Sequence, residues 1–202
     1  MRRTKEDALL TREEILTAAL QAFSQQGYSA TRLEDIAHTA GVTRGAIYHH
    51  FGSKEELYIA LVTEKSSGIN ELAAEIIGQG GTPLETLRRF LVSIFKYAEQ
   101  DEEYRALLEL TVSKVEISEG LESITRDTIK GRRQLAAYFQ ELLSQGIQAG
   151  EIRSDLPVET AAFALISFMN GVGLIWIQDP QAFSLQRDAE ELVDVFLKGI
   201  VR

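Results

Sequence analysis

The sequence predicts an all-α chain, and three observations carry that expectation. Apolar residues recur at i, i+3, i+4 and i+7 in one segment after another, which is the mark of a single buried helical face. Ser or Thr followed three residues later by Glu occurs at Thr11/Glu14, Thr31/Glu34 and Ser53/Glu56, each a capping-box spacing at a helix start. No stretch alternates with period two for long, and no internal repeat or low-complexity segment breaks the pattern.

Taken in order, a first helix is expected to open at Thr11 and to bury Ile15, Ala18, Ala19, Ala22 and Phe23 before ending near Gly27. Ahead of it, Arg2, Arg3 and Lys5 suit either a basic arm or an ordinary solvated terminus. Thr31 and Glu34 open a second helix with Leu33, Ile36, Ala37 and Ala40 inward, and Gly41 stands where a left-handed turn is needed. Thr43 caps a third helix, in which Ala46, Ile47 and Phe51 offer core contacts. Arg44, Gly45, Tyr48, His49 and His50 are left facing outward. Ser53 and Glu56 start a helix reaching about Ile77, roughly 36 Å at ~1.5 Å per residue, with a kink expected at Ser66, Ser67 and Gly68.

The remainder reads as further helices. Thr82, Pro83 and Glu85 restart one with Pro in its first turn, and Leu84, Leu87, Leu91, Ile94, Phe95 and Ala98 form its stripe. Tyr104, Leu107, Leu108, Thr111, Val112 and Val115 form the next stripe. A long helix from about Ser118 to Ala149 buries Leu135, Tyr138, Phe139 and Leu142 and stops at Gly150. Among the 17 residues 161–177 only Ser167, Asn170, Gly171 and Gly173 are not apolar. That run is short of the about 20 residues of a membrane span, and polar residues flank it, so no membrane partner is expected. A helix apolar nearly all round is instead buried on several sides, with one face on its own domain and the opposite face on a second subunit. Asp179–Pro180 ends it. A last helix carries Ala189, Leu192, Val193, Phe196, Leu197 and Ile200, and two such C-terminal helices paired across a two-fold axis make a four-helix interface.

Charge divides sharply along the chain. Residues 1–54 carry a net +1 and residues 55–202 a net −10, which make up the −9 of the whole. The three histidines all lie in the first part. Phosphate contacts need local rather than global positive charge, so an acidic protein can still bind DNA at its spared end. The absence of cysteine excludes disulfides and thiolate metal sites, and no apolar run follows the basic start as in a signal peptide, so a reducing, cytoplasmic setting is expected. A turn joining two short helices, the second displaying Arg, Tyr and His, suits the major groove of DNA. Catalysis finds little support. The histidines lack metal-collecting spacing, no nucleotide-binding glycine fingerprint occurs, and no cofactor or metal is expected.

The stretch ILTAALQAFSQQGYSATRLEDIA, followed by AGVTRGAIYHHFGSKEELY, resembles the TetR family of bacterial transcriptional regulators. Gly41, Gly45, Tyr48, Phe51 and Lys54 fall where that family has them. More faintly, GVGLIWIQDPQAFSLQRDAEELVDVFL resembles the C-terminal helices of its AcrR branch, which represses multidrug-efflux genes. The resemblance implies a homodimer with a helix-turn-helix DNA-binding domain at 1–53 and a helical effector-binding and dimerisation domain at 54–202. DNA contacts are expected from Thr31, Arg32, Thr43, Arg44, Gly45, Tyr48, His49, His50 and Lys54. The partner would be a double-stranded operator.

An effector cavity is expected among Phe90, Ile94, Tyr97, Tyr104, Leu108, Tyr138, Phe168 and Trp176, most of which also suit an ordinary core. Glu71 is the candidate acid for a cationic ligand, against the alternative of a solvated surface glutamate. The acidity of the domain leans towards cationic or neutral lipophilic effectors. A ligand-independent architectural DNA-binding dimer stays open beside the sensor, and the size of the helical domain favours the sensor. Repressor is preferred to activator by family habit alone.

Overall fold

The computed structural model describes residues 5–113 and 122–202. Val115, Ser118, Arg2 and Arg3 of the readings above lie outside them. The described residues form ten α-helices, one π-helical turn and a single isolated β-bridge, and the chain divides into two compact units. The first holds residues 1–66 and 106–127, the second 67–105 and 128–202.

In the first unit, α1 (Lys5–Gln26) runs the full length of the domain. It does not open at Thr11 as its spacing suggests. Thr11 is buried in mid-helix and its hydroxyl donates to the Asp7 carbonyl at 2.9 Å, so the segment read as an arm is helical from Lys5. Ile15, Leu16, Ala19 and Phe23 are fully buried. They pack with α2 (Leu33–Thr39), α3 (Arg44–Phe51) and α4 (Lys54–Lys65), whose Ile36, Ile47, Leu57 and Leu61 are equally inaccessible. Because Leu57 and Leu61 complete this core, α4 belongs to the first unit and the division falls at Ser66 rather than between residues 53 and 54. Phe23, Tyr28 and Tyr58 close one edge of the core, with ring centroids 5.3–5.7 Å apart.

Thr31 corrects a second capping assignment. Arg32, not Thr31, is the residue preceding α2, and it makes no side-chain cap. The Thr31 hydroxyl is buried and reaches the carbonyls of Gly27 (2.7 Å) and Ala22 (3.2 Å), tying the loop to the end of α1. Gly41 adopts φ +65°, a left-handed turn that a side chain would strain, and Thr43 accepts the Ala46 N–H at 3.2 Å to start α3.

The expected long helix after Ser53 is two helices. α4 ends at Ser66, whose hydroxyl bonds the Val62 carbonyl at 2.6 Å, and α5 (Ser67–Gly78) begins the second unit. A hydroxyl that bonds back to the preceding turn competes with the helical ladder, which accounts for a break where the Ser66–Gly68 kink was expected. α6 (Pro83–Gln100) starts with a complete Thr82/Glu85 capping box and Pro83 in its first turn. α7 (Glu102–Leu108) runs into the π-turn Glu109–Ser113, which helical periodicity does not announce; Thr111 there donates to the Leu107 carbonyl at 2.8 Å. α8 (Glu122–Gln148) buries Ala136, Phe139, Leu142 and Leu143.

The last two helices are α9 (Val158–Gln178) and α10 (Leu185–Leu197). α10 lies along α6, burying Leu185, Ala189, Val193 and Leu197, and Arg88 of α6 bonds Asp194 at 2.8 Å while Lys96 bonds Glu190 at 3.2 Å. These bonds hold both carboxyls below their ordinary values, Asp194 through Arg88 and Glu190 chiefly through Lys96. The apolar stripe of α10 is therefore used within its own chain. α9 is different. It buries Ala161, Ala162, Leu165, Ile166, Gly173 and Trp176, yet leaves Phe163 (43% exposed) and Ile175 (57%) open on another face. It is also long and apolar enough to cross a membrane by length and composition, with a mean hydropathy of 1.8.

Candidate functional site

The outward face of α3 is built by subtraction. An eight-residue helix whose Ile47 and Phe51 point inward must present the intervening side chains to solvent, and Arg44, Gly45, Tyr48 and His49 are exposed. Thr43 and Arg32 are exposed beside them, while His50 is half-buried between the rings of His49 and Phe51. Thr31 does not join this face, being buried and committed to two carbonyls.

Arg44 is not a loose side chain. Its guanidinium pairs with Glu34 of α2 and donates to the Tyr48 hydroxyl at 2.8 Å, and it lies 5.3 Å from the Tyr48 ring centroid. The Tyr48 contact first, and the Glu34 charge next, hold the guanidinium more basic than usual. Glu34 is the residue that sequence reasoning missed, since a partner ten positions away across a turn leaves no periodic signal. Lys54 sits at the N-terminus of α4, half-buried, 4.4 Å above the Tyr28 ring and 3.4 Å from the Ser29 carbonyl. Ser53 caps the same helix by accepting the Glu56 N–H at 3.0 Å.

In the second unit the expected effector residues fall into separate aromatic groups. Phe90 packs between Tyr138 and Phe139, with centroids at 6.2 and 5.8 Å. Phe168 lies between Phe95 (5.7 Å) and Phe196 (5.0 Å), and Tyr97 stacks on Tyr104 at 5.1 Å. Ile94 is buried beside these on α6. Gly68 makes room for Tyr97, since a Cβ there would stand 2.6 Å from its Oη. Trp176 is 2% exposed, and the Arg105 guanidinium lies 5.0 Å from its ring centroid. Burial pushes the Tyr104 hydroxyl well above the ordinary tyrosine value and raises that of Tyr138 as well. Leu108 belongs to the first unit. Glu71 is exposed, not a buried acid.

Two family descriptions match this arrangement. Residues 15–61 match "Bacterial regulatory proteins, tetR family", and residues 82–201 match "MAATS-type transcriptional repressor, C-terminal region". The chain belongs to the TetR family. The transcriptional regulator AcrR of Shigella flexneri is 33% identical over 198 residues, covering 98% of this chain and 92% of that protein. Among solved structures, NalD, the secondary repressor of the MexAB-OprM multidrug efflux pump in Pseudomonas aeruginosa, superposes with a TM-score of 0.86 at 28% identity, covering 97% and 99% of the two chains. A SmeT–triclosan complex superposes at 0.82 with 29% identity, covering 96% and 92%.

This TetR-family chain is thus a DNA-binding transcriptional regulator, and its relatives are named regulators and repressors rather than enzymes. The first match spans all of α2 and α3 and ends at Leu61, inside α4. The second begins at Thr82, the cap of α6, and runs through α10.

Proposed function

We infer that the protein is a homodimeric repressor that reads a palindromic operator with α3 and leaves it when a small lipophilic molecule binds the second unit. The observation that carries this reading is the face of α3. A helix of eight residues, fixed by two buried side chains, presents Arg44, Gly45, Tyr48 and His49 together. Arg44, in the first turn, supplies a planar fork for guanine O6 and N7, worth ~1–3 kcal/mol of discrimination. Thr43, Arg32 and Lys54 supply phosphate contacts, the last at a helix N-terminus that itself favours an anion. Gly45 lets backbone approach backbone, and Tyr48 with the two histidines offers rings to thymine methyls and polar tips to phosphates. Glu34 competes with DNA for Arg44 and so lowers affinity for the wrong sequence along with the right one.

A second copy of the chain is the occupant proposed for the open side of α9. Thr160, Phe163, Ala164, Ser167, Gly171, Leu174, Ile175 and Gln178 follow helical spacing along that side, with small residues at its middle. Val195, 74% exposed, adds the outer edge of α10. A dimer of these two helices covers the apolar surface that would otherwise suit a membrane, and reading successive major grooves of a palindrome requires two recognition helices about 34–36 Å apart.

Release follows from linkage. A ligand that favours the DNA-free arrangement must weaken operator binding by the factor by which operator weakens the ligand. The chain crosses between its units at Ser66, after Arg105 and after Asp127, three places where a change in the second unit reaches the first through the backbone. A gel shift on DNA upstream of this gene, with and without candidate ligands, tests the reading. A specific complex lost on adding ligand is expected. A complex indifferent to every ligand would favour the architectural binder.

A further inference from the structure

The second unit buries hydrogen-bond donors that have no partner among the described residues. Trp176 Nε1, the Tyr138 hydroxyl and the Nε atoms of Arg89, Arg105 and Arg153 are shielded from solvent without a hydrogen-bond partner among the described residues. Two of these five lie on side chains in direct contact, since the Arg105 guanidinium lies 5.0 Å from the Trp176 ring centroid. Arg105 Nη2 donates to the Glu99 carbonyl at 2.7 Å, which anchors the guanidinium at one end. Buried donors left unmade are costly, and an indole N–H and a guanidinium can only donate.

Two acids close in sequence, Glu99 and Asp101, are committed elsewhere. The Glu99 carboxylate accepts from Ser184 Oγ (3.1 Å) and from the Gln186 N–H (2.6 Å), holding the start of α10. Asp101 accepts the Tyr104 N–H at 2.7 Å and caps α7. Glu71, the candidate acid for a cationic ligand, is exposed.

We propose that Arg105 and Trp176 form a subsite for an oxyanion on a lipophilic body, so that the effector is a hydrophobic carboxylate or phenolate rather than a cation. This rests on reading the second unit as the effector domain. The oxyanion accepts from Arg105 Nε and Trp176 Nε1 and answers the guanidinium charge, while the aromatic side chains of the unit take the apolar body. Arg105 is the last residue of the second unit before α7 continues into the first, so an anion held there fixes the residue at which the chain crosses.

Trp176 is the only tryptophan, which makes the full-length protein its own reporter. The probes are decanoate and 4-butylbenzoate, their methyl esters, and decylamine and 4-butylaniline, each titrated against indole emission and, in parallel, against binding to the upstream DNA. Saturable emission change is expected with the two carboxylates at concentrations at least ten-fold lower than with esters or amines. Arg105→Met, which keeps the stem over the indole and removes the donors, should erase that preference. Arg105→Lys, should the first variant not fold, should retain part of it.

Equal response to acid, ester and amine would overturn the subsite, and so would no saturable response to any probe, the result expected if water alone fills the site. Operator release by an ester or amine without carboxylate preference would keep the sensor and remove the subsite. Carboxylate binding at Trp176 with no effect on DNA would keep the subsite and remove the sensor.

Discussion

The two units handle their aromatic residues in opposite ways. In the first, Phe23, Tyr28 and Tyr58 form a closed triangle, and the open face of Tyr28 is covered by Lys54. In the second, Tyr138 and Trp176 bury polar tips that find no hydrogen-bond partner among the described residues. A core completed by its own chain keeps a short reading helix in place. A core left short of acceptors gains stability from whatever molecule brings them.

That contrast can be broken by mutation. Phe23→Ala removes a fully buried ring from the completed core and is expected to cost about 3–5 kcal/mol, read as a large fall in the denaturation midpoint together with loss of DNA binding. Trp176→Phe should cost no more than about 1 kcal/mol, because the lost contact area is offset by removing an unmade donor. A loss at Trp176 as large as at Phe23 would mean that the second core is also complete.

Arg44→Ala sharpens the comparison from the DNA side. It should abolish preference for the operator, by about ten-fold or more, while leaving the dimer and its denaturation midpoint intact. Competition binding against random DNA, with sedimentation for the dimer, reads both. Retained selectivity would remove Arg44 from base reading.

Much of the first unit was legible because short-range periodicity decides which side of a small helix faces out. The inward set Leu33, Ile36, Ala37, Ile47 and Phe51 and the outward set Arg44, Tyr48 and His49 follow from spacing alone. Spacing misled where a Ser/Thr–Glu pair had another use. Thr11 lies inside a helix that started earlier, and Thr31 is pulled inward by the carbonyls at the end of α1, a tertiary contact that no local pattern contains. The second unit was legible as helices but not as a site. Stripes name its buried residues, whereas the pairing of Arg105 with Trp176 joins positions far apart in the chain and depends on how α7 meets α9.

The smallest effect concerns acid. Arg12 pairs with Glu64 across α1 and α4 and lies 4.8 Å from the Phe51 ring centroid, and its hydrogen bond holds the Glu64 carboxyl below the usual 4.5. The folded value is the lower one, so this contribution is complete above about pH 4.5 and fades as pH falls through the folded value. Both side chains are partly exposed, so Glu64→Gln should cost about 0.5 kcal/mol at neutral pH, less in high salt, and nothing in strong acid. Denaturation midpoints across pH and salt check this.

An oxyanion held in the second unit and an operator held by α3 are expected to exclude one another. The direct measurement is a reciprocal titration, following Trp176 emission with decanoate at increasing upstream DNA, and DNA anisotropy at increasing decanoate. The account predicts that each weakens the other by the same factor. Saturation of Trp176 with no change in DNA affinity would contradict it.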